Sequence, residues 1–271
     1  MFWLVTLTVL SAKVLAQGVF VNRVYEDNYG NPVFNPILNP FGIQWSQSIA
    51  NSNGDIITVG HTYVTGQGEN IFLRKLDADG NVIFSSTWNS TGSQNDYGVN
   101  LYVASNGEIF VCGTTDNGGT TNYDAVVLRY SSAGSLINAT TWAGGDGKND
   151  IGTALIIHPT TNNLLVAITN ENNTTGFDYC VVQLNPTSLS PIGSPGIYDY
   201  TNLIEVALGI EIDTGTGNVL LIGGSQSSAI TCAYAVAIFD GTTLSYISDS
   251  RTDLVGTPYD QALSYVKDNS N

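Results

Sequence analysis

The side chains that could do chemistry are few, and several recur at a fixed spacing. Asp96, Asp150 and Asp260 each stand just ahead of an apolar run; the first two close the stretches "WNSTGSQNDYG" (Trp88–Gly98) and "WAGGDGKNDIG" (Trp142–Gly152). Carboxylates gathered at one mouth of a ring could hold a cation. The same Asp in a turn caps backbone N–H groups, and both uses stay open at this level. The stretch "DADGN" (Asp77–Asn81) looks like a calcium loop. That pattern needs Gly at position six and Glu at position twelve, where this chain has Val82 and Trp88, so a plain hairpin turn is expected.

Other catalytic signatures fail in the same way. His61 and His158 fall at different points of the repeat, with no Ser or Cys motif beside either, and surface or loop positions are expected for both. Cys112, Cys180 and Cys232 are odd in number and contain no CxxC. They suggest buried inert thiols rather than a disulfide framework or a zinc site. The chain has no GxSxG, HExxH, phosphate-binding loop or dinucleotide fingerprint. Paired carboxylates for glycoside cleavage cannot be placed from sequence. The expectation is therefore no catalytic residue, no metal, no cofactor and no enzyme. Four sequons, at Asn89, Asn138, Asn172 and Asn173, mark candidate glycosylation sites expected to be exposed.

The elements that carry these residues repeat. "SNGDIITVGHT" (Ser52–Thr62) is echoed by "SNGEIFVCGTT" (Ser105–Thr115), then by runs around Asn162 and Gly217, at spacings of 53, 55 and 55 residues. "NIFLRKLDADGNVIF" (Asn70–Phe84) is echoed in step by "DAVVLRYSSAGSLIN", "DYCVVQLNPTSLS" and "AYAVAIFDGTTLS". Each copy of this second segment reads strand, tight turn, strand. Four short strands per unit of this length is the pattern of a propeller blade. In the second unit the strands are expected at Val99–Ala104, Glu108–Gly113, Asp124–Tyr130 and Leu136–Trp142. The second strand of each unit is apolar without alternation, which suits burial on both faces. The fourth is more polar, as an outer edge should be. The Gly-rich stretches cross from the outer strand of one blade to the inner strand of the next, and Trp88 and Trp142 are expected to pack on the adjoining blade.

"WAGGDGKNDIGTALIIHP", "NGEIFVCGTT" and "DAVVLRYSSAGSLI" resemble the bacterial β-propeller repeat (SBBP) family over about residues 43–266. The resemblance implies a surface or secreted propeller and no particular reaction. The sequence departs from the pattern where Ile168 replaces a strand-ending Gly and where "GIYDYTNLIEVALG" replaces the Gly-rich loop.

The expected fold is an all-β propeller of four complete blades, with repeats at about 43–96, 97–150, 151–204 and 205–258. A fifth blade would be closed by N- and C-terminal strands, 18–36 with 259–271, using Val21, Val24, Leu263 and Val266. Closure within one chain, head-to-tail closure between chains, and a sequence that is a piece of a longer repeat array all remain open. The first 16 residues, with the apolar core Phe2–Leu10 and Val14-Leu15-Ala16 behind it, resemble a secretory signal peptide, which leaves residues 17–271 as a single domain. No later segment is long and apolar enough to span a bilayer as a helix.

The net charge is −15, from 23 acids against 8 bases, with no basic cluster. Nucleic acid is thereby excluded as a partner. These features lead to the expectation of a secreted, non-enzymatic structural or assembly component of a cell surface or extracellular structure, self-associating through its open half-blades. A carbohydrate- or protein-binding propeller is the alternative, resting on Tyr63, Tyr123, Tyr198 and Tyr200 in loops, and an enzyme of hydrolase or lyase type ranks last.

Overall fold

The computed structural model describes residues 47–252 apart from 51–53, 93–94, 117–121, 146, 201 and 229–230. The expected signal segment, Val21, Val24, Asp260, Leu263 and Val266 lie outside the described residues. Four antiparallel sheets of four strands follow one another along the chain. The first has β1 (Gln47–Ala50), β2 (Ile56–Val64), β3 (Gly68–Leu76) and β4 (Val82–Trp88). The second has β5 (Asp96–Val103), β6 (Ile109–Asp116), β7 (Tyr123–Tyr130) and β8 (Leu136–Trp142). The third has β9 (Asp150–Ile157), β10 (Leu164–Asn172), β11 (Gly176–Leu184) and β12 (Gly196–Tyr198). The fourth has β13 (Glu205–Ile212), β14 (Val219–Ser228), β15 (Thr231–Phe239) and β16 (Tyr246–Thr252). These are consecutive blades of a β-propeller, each a meander running from inner to outer strand.

Burial follows the reading of the sequence. Seven successive residues of β6, and seven of β10, are buried on both faces, while β4 and β8 alternate exposed and half-buried. The inner strand starts earlier than expected, at Asp96 instead of Val99. The reason is a bulge: Gly98 pairs with Gly113 and Asn100 with Cys112, leaving Val99 as the extra residue. The same slip recurs in β9 opposite Ala167/Ile168 and in β13 between Ala207 and Gly209.

Three of the apolar clusters are each shared by two neighbouring blades, and a fourth, of Val99, Tyr123, Ile151 and Val206, links the second, third and fourth blades. Val59, Ile71 and Leu73 pack with Leu101, Val111 and Leu128, with Trp88 against them. Phe110, Cys112 and Val127 pack with Leu164, Val166 and Val182, with Trp142 against them. Leu165, Tyr179 and Val181 pack with Ile210, Leu221 and Phe239. Both Trp residues thus close a junction, as expected. Each fully buried aliphatic side chain contributes about 1.5–3 kcal/mol.

Candidate functional site at the third blade junction

The first residue of each described inner strand from the second blade onward is a buried acid that reaches back to fasten the crossing loop. Asp96 accepts from the Ser90 backbone N–H at 2.7 Å and from the Thr115 hydroxyl at 2.5 Å. Asp150 accepts from the Gly144 N–H at 2.6 Å and from Asn170 Nδ2 at 2.5 Å. Thr115 and Asn170 are also the direct cross-strand partners of these acids. Of the two uses left open for Asp96 and Asp150, the structure shows turn capping. Burial raises the carboxyls of both, Asp150 to about 6.

At the third junction the lock is different. Glu205 stands in the same place and its Oε1 accepts from its cross-strand partner Ser225 at 2.9 Å. The Gly-rich loop is replaced by Tyr198–Asn202, which brings in Asp199. The opposing blade contributes Asp178, near the start of β11. One oxygen from each of Asp178, Asp199 and Glu205 lies within 4.8 Å of the other two. Asp178 and Glu205 are buried and Asp199 is exposed.

The surrounding groups orient these carboxylates without neutralising them. Asp178 Oδ2 accepts from Thr175 Oγ1 at 2.7 Å and Asn172 Nδ2 at 2.5 Å, while Asn172 Oδ1 caps the Thr174 and Thr175 N–H groups. Asp199 Oδ1 accepts from the Asn202 N–H at 2.8 Å. Arg251 donates to the Ser225 carbonyl at 3.0 Å and lies 3.5 Å from the centroid of the Tyr200 ring. The two ion pairs among the described residues, Lys75–Asp55 and Arg129–Glu108, lie elsewhere. Burial is the main reason that Glu205 is pushed up to about 7 and Asp178 to about 6; Asp199 adds to both.

The other singled-out residues are scattered. Asp77 caps the Asp79 and Asn81 N–H groups as a hairpin turn, and hydrogen bonds from Asn81 hold its carboxyl below the usual range. His61 is exposed, as expected, but His158 is only 2% exposed, which corrects the surface expectation. Its Nε2 bonds the Gly217 carbonyl of the next blade at 2.8 Å, and its Nδ1 accepts from the Thr160 and Thr161 N–H groups. Cys112 and Cys180 are buried free thiols, raised by burial. Of the four tyrosines expected in loops, Tyr200 alone lies outside the strands; Tyr63, in β2, is exposed like Tyr200, whereas Tyr123, at the start of β7, and Tyr198, at the end of β12, are core, which corrects the expectation. Of the sequons, Asn173 alone is exposed. Asn89, Asn138 and Asn172 are half-buried, and Asn138 Nδ2 donates to the Ser188 carbonyl.

The chain is similar in fold to several solved structures. An endo-arabinase from Bacteroides thetaiotaomicron aligns with a TM-score of 0.49 at 11% identity, covering 78% of this chain and 81% of that one. An α-L-arabinofuranosidase from Clostridium thermocellum aligns at 0.45 and 11%, covering 79% and 74%. A GH43 endo-arabinanase from Bacillus licheniformis aligns at 0.46 and 15%, covering 78% and 79%. No protein-family model and no curated protein matches the chain. Glycoside hydrolases recur among the similar structures, which runs against the expectations of a non-enzymatic structural component and of no enzyme; the likeness itself is one of fold. At such TM-scores the likeness assigns neither a substrate nor a catalytic residue.

Proposed function

We propose that this chain is a secreted, carbohydrate-active propeller whose working surface is the loop mouth between the third and fourth blades. The observation that carries the proposal is Tyr200 beside Asp199. The Tyr200 ring is 49% exposed and is steadied by Arg251. Its neighbour Asp199 presents an exposed carboxylate on the same turn. A sugar offers an apolar C–H face and an edge of hydroxyl donors. The first stacks on an aromatic ring and the second donates to a carboxylate. Asp178 and Glu205 stand behind Asp199 and add negative potential, which together with the net charge of −15 favours a neutral glycan over an acidic one.

The test is retention in affinity electrophoresis, with reducing-end release, across a panel of neutral polysaccharides. Tyr200→Ala is expected to weaken retention about tenfold, the loss of one aromatic contact worth about 1.4 kcal/mol. Neither retention nor release on any member of the panel would overturn the proposal. Two finer features belong to it. The ring has a fifth blade made from 18–36 and 259–271, supported by the echo of a third-and-fourth-strand unit in Val21–Phe34. Secretion is supported by the apolar N-terminal segment, and Asn173 is the sequon best placed to carry a glycan.

A further inference from the structure

We propose that Asp178, Asp199 and Glu205 bind one divalent, oxygen-seeking cation, calcium by its coordination habits, at the junction of the third and fourth blades. Calcium takes oxygen ligands at about 2.3–2.6 Å, so ligands on opposite sides of it stand about 4.6–5.2 Å apart and neighbouring ligands closer. Three carboxylate oxygens mutually within 4.8 Å fit around one such ion.

The independent observation is a pair of orphaned atoms. Asp178 is 2% exposed and Glu205 0%, yet Asp178 Oδ1 and Glu205 Oε2 have no hydrogen-bond partner. A buried carboxylate oxygen left bare is costly, and native folds seldom keep one without a ligand to satisfy it. The second oxygen of each group is tied inside the fold, Asp178 Oδ2 to Thr175 and Asn172 and Glu205 Oε1 to Ser225. Each carboxylate is thus held in a fixed orientation with one oxygen to spare.

The molecule contains its own control. Asp96 and Asp150 occupy the position of Glu205 at the two preceding junctions, and both of their oxygens are satisfied by loop and strand donors. The bare oxygens arise where the Gly-rich loop is lost, and the segment that replaces it brings the third carboxylate. An all-carboxylate donor set selects hard cations over zinc or copper. Magnesium needs a near-ideal octahedron, whereas calcium tolerates ligands from three separate elements, here β11, the turn after β12 and β13. The cation would tie that turn to both blades, beside the backbone bond that Tyr200 makes to Glu205.

Full-length protein, stripped with a chelator, is titrated with calcium chloride by calorimetry and followed by thermal unfolding. One equivalent is expected to bind, with Tm rising with calcium concentration. Asp199→Asn, at an exposed position, is expected to fold and to bind calcium ~10-fold or more weakly through loss of a charged ligand. Glu205→Gln is expected to melt no lower than calcium-free wild type and to show no calcium-dependent rise. Tyr200→Ala is expected to bind calcium as wild type does, so failure of the glycan proposal leaves this one standing. Absence of binding heat and of a Tm shift at millimolar calcium in wild type would overturn it. So would Asp199→Asn and Glu205→Gln binding calcium as tightly as wild type.

Discussion

Asp150 shows what it costs to fasten a loop with a buried carboxylate. Its folded value of about 6 lies above the ordinary 3.8, chiefly through burial, with Asp124 and Glu171 adding and the bonds from Asn170 and Gly144 opposing. The folded chain therefore keeps a proton that the unfolded chain releases between about pH 4 and 6. Stability from this group is full below pH 4, falls as pH rises through that window, and levels off above it. Asp150→Asn should flatten the decline, read as Tm at half-unit steps from pH 4 to 7; an unchanged slope would reject the assignment. His158 is a second residue whose worth lies in its bonds, since it joins the third blade to Gly217 of the fourth. His158→Ala leaves the Thr160 and Thr161 N–H groups and the Gly217 carbonyl without this partner. It should cost about 1–3 kcal/mol in urea unfolding. A loss under about 0.5 kcal/mol, typical of surface positions, would show the bridge to be idle.

Among the elements, the inner strands and the strand ends beside them are the tightest fit. A Cβ on Gly113 would lie 1.9 Å from the Tyr97 carbonyl oxygen, and one on Gly152 would lie 2.8 Å from the Gly113 carbonyl oxygen. Gly113→Ala must displace backbone on the facing strand, and a loss of about 3 kcal/mol or more is expected in denaturant melts. A near-neutral effect would mean that the bulge at Val99 absorbs the extra atom. At the third junction Ile168 and Ala207 stand where the second has Gly113 and Gly152, and both are fully buried. The strands and their order were legible in sequence because four-strand units leave a period and doubly buried strands leave unbroken apolar runs. The bulges were not, since an extra residue inside a strand leaves no mark on a pattern of apolar and polar letters. The candidate site was half legible. Asp96 and Asp150 announce the acid position, but Glu205 hides as a change of residue type, and Asp178 and Asp199 meet it only once two blades are placed side by side. The one available signal was the departure "GIYDYTNLIEVALG" itself.

For the whole molecule, closure decides how the blades share their load. The proposed fifth blade joins 18–36 to 259–271, so deleting Gly18–Phe34 should lower Tm by several degrees for a chain of this size. An unchanged melt would reject closure within the chain. Neighbouring blades are also stitched along their outer turns, by Arg129 to the Thr187 carbonyl and by Gln183 to the Thr242 carbonyl. These links, like the three largest apolar clusters, join adjacent blades in pairs, while Val99, Ile151 and Val206 continue the contact from the second blade through the third to the fourth. Cooperativity is therefore a nearest-neighbour property, passed from sheet to sheet as in a linear array. With its ends joined, such an array has no first domino: opening any blade breaks two junctions. With its ends apart, the fourth blade has a partner on one side only. Amide exchange should then spread inward from β16, leaving β6 and β10 as the last strands to give up their protons.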